Sequence, residues 1–427
     1  MAAHSLDDLR RVIRRIETRR PRRPAAQPVE EALGGELVDT GEGKLLVVRR
    51  EFLLSHCHGR RPLGAVLEAP LDLVSAVARA ERPVEDARRL LFLDAETTGL
   101  AGGTGTYAFL VGAAWLEDDR LVLVQHFMRD FDEEPALLAA LRPLLERASG
   151  LVTFNGATFD LPLLETRFIM ARRPWPATLP HLDLLRPARR VWTSCLSDCR
   201  LATLEREVVG LVRDDDIAGA LIPTLYFDFL RSRRAAPLGR VLAHNRDDIL
   251  TLVSLLGWFG NALTSREGLT AGELGGLGRL WEPVDVERAL ECYRAALAAG
   301  LSGAPAQVVR LHLARWEKRG SRWDAACLLW EEAARDAGFD PRPWEELAKF
   351  HEHRRRDFVA ARSVVADALG LAEAAGASLR TVGAFTHRLG RLERRLSISA
   401  EAAPKRRAAN LGDANASGAD LLRTPFA

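Results

Sequence analysis

The sequence predicts two dissimilar parts, an α/β domain built on a mixed sheet with flanking helices and, after it, an all-helical domain of stacked repeats. Three observations carry this expectation. Apolar runs of strand length occur between helix-like segments in the first 260 residues, the pattern beyond residue 280 is almost wholly helical, and a small residue followed one turn later by a large one recurs in that second part. Those pairs are Ala289 with Tyr293, Ala326 with Trp330 and Ala361 with Val365, at spacings of 37 residues (Ala289 to Ala326) and 35 residues (Ala326 to Ala361). Such a period suits packed helix pairs of the tetratricopeptide type, in which each unit buries little alone and stacking supplies the core.

Residues 1–30 read as a separate segment. Ser5 to Asp8 resembles a helix start, Leu6, Leu9, Val12, Ile13 and Ile16 share one side, and arginines surround them before Arg19 to Pro24 ends the helix. A basic amphipathic helix of this kind suits a nucleic-acid backbone, a partner or an anionic membrane surface, and equally a solvated face on a docking helix. The α/β domain is expected over 31–260. Leu90 to Leu93 has the length of a buried strand, and Tyr107 to Trp115 and Leu121 to Phe127 form two further strands joined by the polar Glu117 to Arg120. A helix from about Pro135 to Ala148 leads to a strand at Leu151, and helices dominate to Phe259. The glycines of Ala101 to Thr106 are followed by a strand and not by a helix whose N-terminus would hold a phosphate, so they suit a loop at the rim of a site. Gly and small polar residues suggest a linker over 261–280, the helical repeats then occupy 281–398, and composition predicts disorder over 399–427.

The chain is long enough for more than one domain: 427 residues, 47% hydrophobic and 28% charged. Sixty basic against 58 acidic residues leave a net charge of +2, so a nucleic-acid path must be a local patch and not a whole-molecule field. Five scattered cysteines suggest reduced thiols in the cytoplasm and not a disulfide framework. Cys195 and Cys199, with His56, Cys57 and His58 upstream, match no closed zinc pattern. No run spans a membrane and no segment resembles a signal peptide.

Chemistry concentrates in three places. Asp94 and Glu96 end the first strand run, and because strand side chains alternate, both project to the same face. Two carboxylates there repel each other unless a divalent cation lies between them, and hard oxygen donors suit Mg²⁺ or Mn²⁺. Asp160 follows a short strand and the Asn155-Gly156 turn, where it is placed to cap or begin a helix. Asp248 lies at the edge of the helical face made by Ile249, Leu252, Val253 and Leu256, whereas Asp247 points nearly opposite and reads as a solvated charge. His244, one turn before Asp248, is a candidate general base.

These residues resemble the YprB-type ribonuclease H-like domain, a branch of the exonucleases with four acidic metal ligands. The resemblance runs from about Gly35 to Phe259 and includes Leu93 to Leu100, Phe154 to Asp160, Ser197 to Leu201 with Leu204-Glu205, Asp215 to Gly219, Ile222-Pro223, Leu225 to Phe227, and His244-Asn245 with Asp248. It implies a ribonuclease H-like fold, Asp94, Glu96, Asp160 and Asp248 as ligands of two divalent cations, Mg²⁺ or Mn²⁺, and 3′ to 5′ exonuclease action on a DNA or RNA end. Two departures stand out: a histidine occupies the spacing of the family's tyrosine branch, and Ala218 replaces an expected proline. The expected function is therefore metal-dependent phosphodiester hydrolysis, with a protein partner for the helical repeats. The alternatives are a catalytically inactive nucleic-acid-binding or scaffolding protein, and a nucleotidyl-transfer or integrase-like enzyme on the same fold.

Overall fold

The computed structural model describes residues 27–99, 104–176, 179–336 and 338–416. The basic segment expected over 1–30 lies outside the described residues up to position 26, as do Leu100 to Gly103 of the glycine loop. The chain divides into two compact units, Met1–Glu267 and Gly268–Ala427.

The first unit is built on strands β1 (Glu36–Asp39), β2 (Lys44–Leu53), β3 (Cys57–His58), β4 (Arg61–Pro62), β5 (Leu90–Thr97), β6 (Ala108–Glu117), β7 (Arg120–Phe127), β8 (Gly150–Thr153) and β9 (His181–Asp183). Among the described residues, seven form one sheet in the order β1-β2-β7-β6-β5-β8-β9. β5 is antiparallel to β6 and parallel to β8, and β8 is parallel to β9, so the sheet is mixed. The predicted hairpin is β6 and β7, paired from Leu110 with Phe127 to Glu117 with Arg120. Leu90 to Leu93 are all buried because β5 lies in the middle of the sheet with protein on both faces. β9 falls within the stretch expected to be helical; three residues are too few to show a strand period.

The flanking helices are α1 (Val29–Leu33), α2 (Leu71–Ala78), α3 (Glu134–Arg147), α4 (Asp160–Met170), α5 (Leu185–Trp192), α6 (Leu201–Leu204), α7 (Ile222–Ser232) and α8 (Leu238–Thr264). Tyr226 of α7 is buried and stacks on Phe109 of β6 at 3.9 Å between ring centres, which fixes α7 on the sheet. The predicted face of α8 is buried as expected: Ile249, Leu252, Val253 and Leu256 have no exposed surface. Gly112 of β6 is what lets this helix approach. A Cβ there would lie 2.2 Å from the Asn245 Oδ1 and 2.4 Å from the Ile249 Cδ1.

The second unit contains α9 (Ala271–Trp281), α10 (Val286–Ala298), α11 (Gly303–Arg319), α12 (Trp323–Arg335), α13 (Pro341–Phe350), α14 (Phe358–Ala374) and α15 (Leu379–Ala416). The three small/large pairs fall on α10, α12 and α14, each at the fourth and eighth residue of its helix, and all six side chains are buried. Two expectations are corrected. The boundary expected within 261–280 falls between Glu267 and Gly268, but the linker is only the short stretch between α8, which runs to Thr264, and α9, which opens at Ala271 behind a capping box of Thr270 and Glu273. Its glycines serve close packing: a Cβ on Gly278 would lie 2.3 Å from the Tyr293 ring. The tail expected to be disordered over 399–427 is helical to Ala416, in keeping with its alanine content, and 417–427 lie outside the described residues. No helix among the described residues is long and apolar enough to cross a membrane.

Candidate active site

The carboxyl ends of the parallel strands β5 and β8 open onto a cleft of about 440 Å³, lined among others by Asp94, Glu96, Asp160, Phe154, Phe159 and Thr106. Such ends are where α/β sheets gather their ligands. Asp94 pairs with Gly112 and Glu96 with Leu110 in the β5 and β6 register, so the two acids share a face as the two-residue period requires. The ladder slips between Glu96 and Thr97, which ends the strand at the cleft.

Asp160 arrives from β8 through a tightly built turn. Asn155 adopts a left-handed conformation at φ 65°, and a Cβ on Gly156 would strike Thr153 Oγ1 at 2.3 Å. Asp183, at the end of β9, accepts from the backbone N–H groups of Asn155 (2.7 Å), Ala157 (3.2 Å) and Leu185 (3.1 Å). Of the two places expected for Asp160, capping or beginning a helix, the structure shows the second. Phe159 is the cap position, Asp160 is the first helical residue, and α4 has no side-chain cap bond. Its carboxylate is instead held by the backbone N–H of Ala95.

Asp248 comes from α8, and its charge helps to raise the proton affinity of Asp94, Glu96 and Asp160. Burial, reinforced by Asp248, Asp160 and Glu96, pushes Asp94 well above the ordinary carboxylate range. Glu96 is pushed up to about 8, first by burial and then by Asp248 and Asp160, against the opposing pull of His244. Burial likewise takes Asp160 to about 7. Asp248 is raised by burial too, while His244 and Arg213 pull it back. The four acids thus form one electrostatic unit.

Side-chain donors hold two of them. Asn245, fully buried, donates to Asp94 Oδ2 at 2.8 Å, and its Oδ1 accepts from Gln125 of β7 at 2.9 Å. Arg213 donates to Asp248 Oδ1 at 2.5 Å and also pairs with the buried Glu205, whose carboxylate accepts from Thr251 Oγ1 at 2.8 Å. Among the described residues, no three His, Cys, Asp or Glu side chains are gathered as a formed metal cage. The donor set nevertheless fits a hard divalent ion: four carboxylates of raised proton affinity, three of them lining a cleft.

His244 lies beside this cluster. Its Nδ1 is 2.7 Å from Asp216 Oδ1 and 3.2 Å from Arg213 Nη1, and its Nε2 is 3.5 Å from Asp248 Oδ2. The shorter, charge-assisted contact assigns the Nδ1 proton to a bond with Asp216 and leaves Nε2 as the acceptor. Burial works against the imidazolium, but Asp248, the Asp216 hydrogen bond and Glu96 outweigh it, so the His244 pKa is raised.

Asp247 lies apart from the four acids, yet it is not the freely solvated charge expected. Its carboxylate is held on both oxygens by Arg246, at 2.7 and 2.9 Å, and faces a separate cavity of about 650 Å³ that includes His58. His58 is buried against Thr251 Oγ1 at 2.9 Å, which removes it from any zinc set, and Cys57 is exposed. Glu205, Arg213, Asp216 and Asn245 went unassigned in the sequence. Three of them lie in the motif blocks quoted above, and Arg213 precedes one, so only the blocks themselves signalled them.

With this geometry in view, the comparisons are direct. The RNase_H superfamily matches residues 91–260, the span that carries all four acids and His244. A Bacillus subtilis (strain 168) protein named "Uncharacterized protein YprB" is 33% identical over 362 residues, covering 82% of this chain and 86% of that one. The RNase H-like fold is that of nucleic-acid-processing hydrolases. The chain therefore belongs to the YprB family, a ribonuclease H-like α/β domain followed by an all-helical one.

Proposed function

We propose that this protein is a metal-dependent nuclease, a 3′ to 5′ exonuclease acting on DNA or RNA ends. The observation that carries the reading is the gathering of four carboxylates from β5, the start of α4 and α8 into one electrostatic unit, three of which, Asp94, Glu96 and Asp160, line a cleft. Ionising clustered acids is costly, and a divalent ion is the natural neutralising partner. Asp94, Glu96, Asp160 and Asp248 would hold two such ions, Mg²⁺ or Mn²⁺, which when bound lower the pKa of an attacking water and neutralise charge on the phosphate.

The remaining work belongs to the chain. His244, its Nδ1–H anchored on Asp216, presents Nε2 as a base able to take a proton beside Asp248. Asn245 fixes the Asp94 carboxylate against rotation. Phe159, half exposed at the cleft edge, offers a face on which a terminal base can stack. The 3′ to 5′ polarity comes from the family resemblance alone.

One observation favours a second reading, a non-catalytic nucleic-acid-binding or scaffolding protein: Arg213 already neutralises Asp248 with a protein cation. The test is incubation of the full chain with end-labelled single- and double-stranded DNA and RNA in Mn²⁺, Mg²⁺ or EDTA. A ladder of products shortened from the 3′ end, abolished by EDTA, is expected. Strand binding with no product in any metal would replace the nuclease reading with the second one.

A further inference from the structure

The helical unit carries an arrangement that the active site does not use. Its helices alternate in direction, so the α9–α10, α11–α12 and α13–α14 turns all lie at one end of the stack. Each of these turns sets an arginine on an indole: Arg288 over Trp281 at 4.8 Å, Arg319 over Trp316 at 4.7 Å and Arg354 over Trp323 at 4.0 Å. Contacts between the turns confirm that they are neighbours. Trp316 Nε1 donates to Glu282 at 3.2 Å, and Arg355 pairs with Asp324 at 2.6 Å.

Most carboxylates at this end are already engaged. Glu282 accepts from His312, Tyr293 and Trp316; Asp285 is taken by Arg288; Glu317 is taken by Arg322 and Arg294; Asp324 is taken by Arg355; Glu346 is taken by Lys318 and Lys349; Glu352 is taken by Arg388 and Arg391; and Asp357 accepts from the Ala360 backbone N–H. Among the described residues, Arg319, Arg354 and Arg356 have no carboxylate partner, and all three are exposed at the turn tips. Stacking holds the first two guanidinium planes in place, with their N–H edges free. A guanidinium ordered in this way loses little freedom when it grips a phosphate, and its edge matches two phosphate oxygens.

The geometry points to this end of the helical stack as a docking surface for the phosphate backbone of single-stranded nucleic acid. Exposed, unpartnered cations on the two neighbouring α11–α12 and α13–α14 turns fit a polyanion, and indoles beside the cations suit bases that leave the backbone line. The surface goes beyond the nuclease reading and does not depend on it, because it would hold a strand whether or not the strand is cut.

The test measures fluorescence anisotropy of labelled oligothymidylate and oligouridylate with the full chain in EDTA, over a salt series. Arg319→Gln, Arg354→Gln and Arg356→Gln combined should weaken binding by at least about tenfold. They should also flatten the slope of log affinity against log salt by about 2, from roughly 0.7 per phosphate released at three cations. Lysine at the same three positions should keep the slope, and Arg335→Gln, at the far end of α12, should change neither quantity. Circular dichroism checks the fold, and if the triple variant melts early, the single variants at 319 and 354 decide. Unchanged affinity in the glutamine variants overturns the proposal, as does an equal loss in Arg335→Gln. A wild type that binds no strand but holds an acidic polypeptide also overturns it. Asp94→Ala run alongside separates the two readings, since it should abolish hydrolysis and leave this binding intact.

Discussion

Glu96→Gln should make the metal-free protein more stable, against the usual effect of substituting a half-buried residue. Glu96 is raised from an ordinary value near 4.5 to about 8, chiefly by burial and then by Asp248 and Asp160. A carboxyl group whose pKa is raised on folding binds more protons in the folded than in the unfolded state between those two values. Stability therefore falls as pH rises through that window and is recovered below it. At about pH 7.5 the solution lies roughly three units above the group's ordinary value and still below its raised one, and at ~1.36 kcal/mol per unit the ceiling is about 4 kcal/mol. Water entering the open cleft takes up part of this, so a gain of about 2 kcal/mol is expected, or roughly 4–8 °C in Tm for a unit of this size. The assay is thermal melting in EDTA at several pH values. Wild type should melt lower at pH 8 than at pH 5.5, and Glu96→Gln should narrow that difference. Equal melting of the two proteins at pH 7.5, or a wild type insensitive to pH across the window, would refute the electrostatic account of the cluster.

Other outcomes follow from the same geometry. Asp94→Ala and Asp248→Ala should each cut hydrolysis by at least about a hundredfold with the fold intact, the scale at which a metal-activated nucleophile is lost; near wild-type turnover in both would remove the site. Asp247→Asn should leave Mn²⁺ binding and turnover close to wild type while Asp248→Asn damages both, since Asp247 is held by Arg246 at a separate cavity and Asp248 is held by Arg213 beside the other acids. His244→Ala should cost about 10²–10⁴ in turnover with metal affinity within a few-fold. Because the His244 pKa is raised and the base must be neutral, activity should fall as pH drops through that raised value, and Asp216→Asn should move this acidic limb to lower pH. In the helical unit, burial opposes the Glu282 charge but hydrogen bonds from His312, Trp316 and Tyr293 prevail and hold it down at about 2. Its stabilisation is present above the ordinary glutamate value and lost as pH falls toward 2, so Glu282→Gln should lower Tm at neutral pH and reduce the loss on acidification.

How much of this was legible in the sequence depends on the range of the interaction concerned. The strand ending in Asp94 and Glu96, the buried face of α8 and the 37- and 35-residue spacings all rest on local periodicity, and each appears in the structure at the expected residues. Glycines were misread where their cause is distant. Those of α9 look like a linker until Tyr293, fifteen residues beyond Gly278, is seen lying against the helix. Asp160 was legible as a residue that caps or begins a helix, but that its carboxylate reaches the backbone of Ala95 on β5 was not, since that partner lies 65 residues away. Arg213 was invisible for the same reason. Nothing in its neighbours announces that it joins Glu205 to Asp248, the latter 35 residues further along the chain.

That arginine has a consequence for the order of events in the life of the chain. A centre made only of acids cannot close until an ion arrives, and such proteins fold and load in one step. Here Arg213, seated between Glu205 and Asp248, supplies positive charge from within. On the nuclease reading proposed above, the fold can then be completed at the ribosome's pace and an ion taken up later by a finished cleft. A chelator should accordingly silence the protein without unfolding it, and readded ion should revive it without any refolding delay.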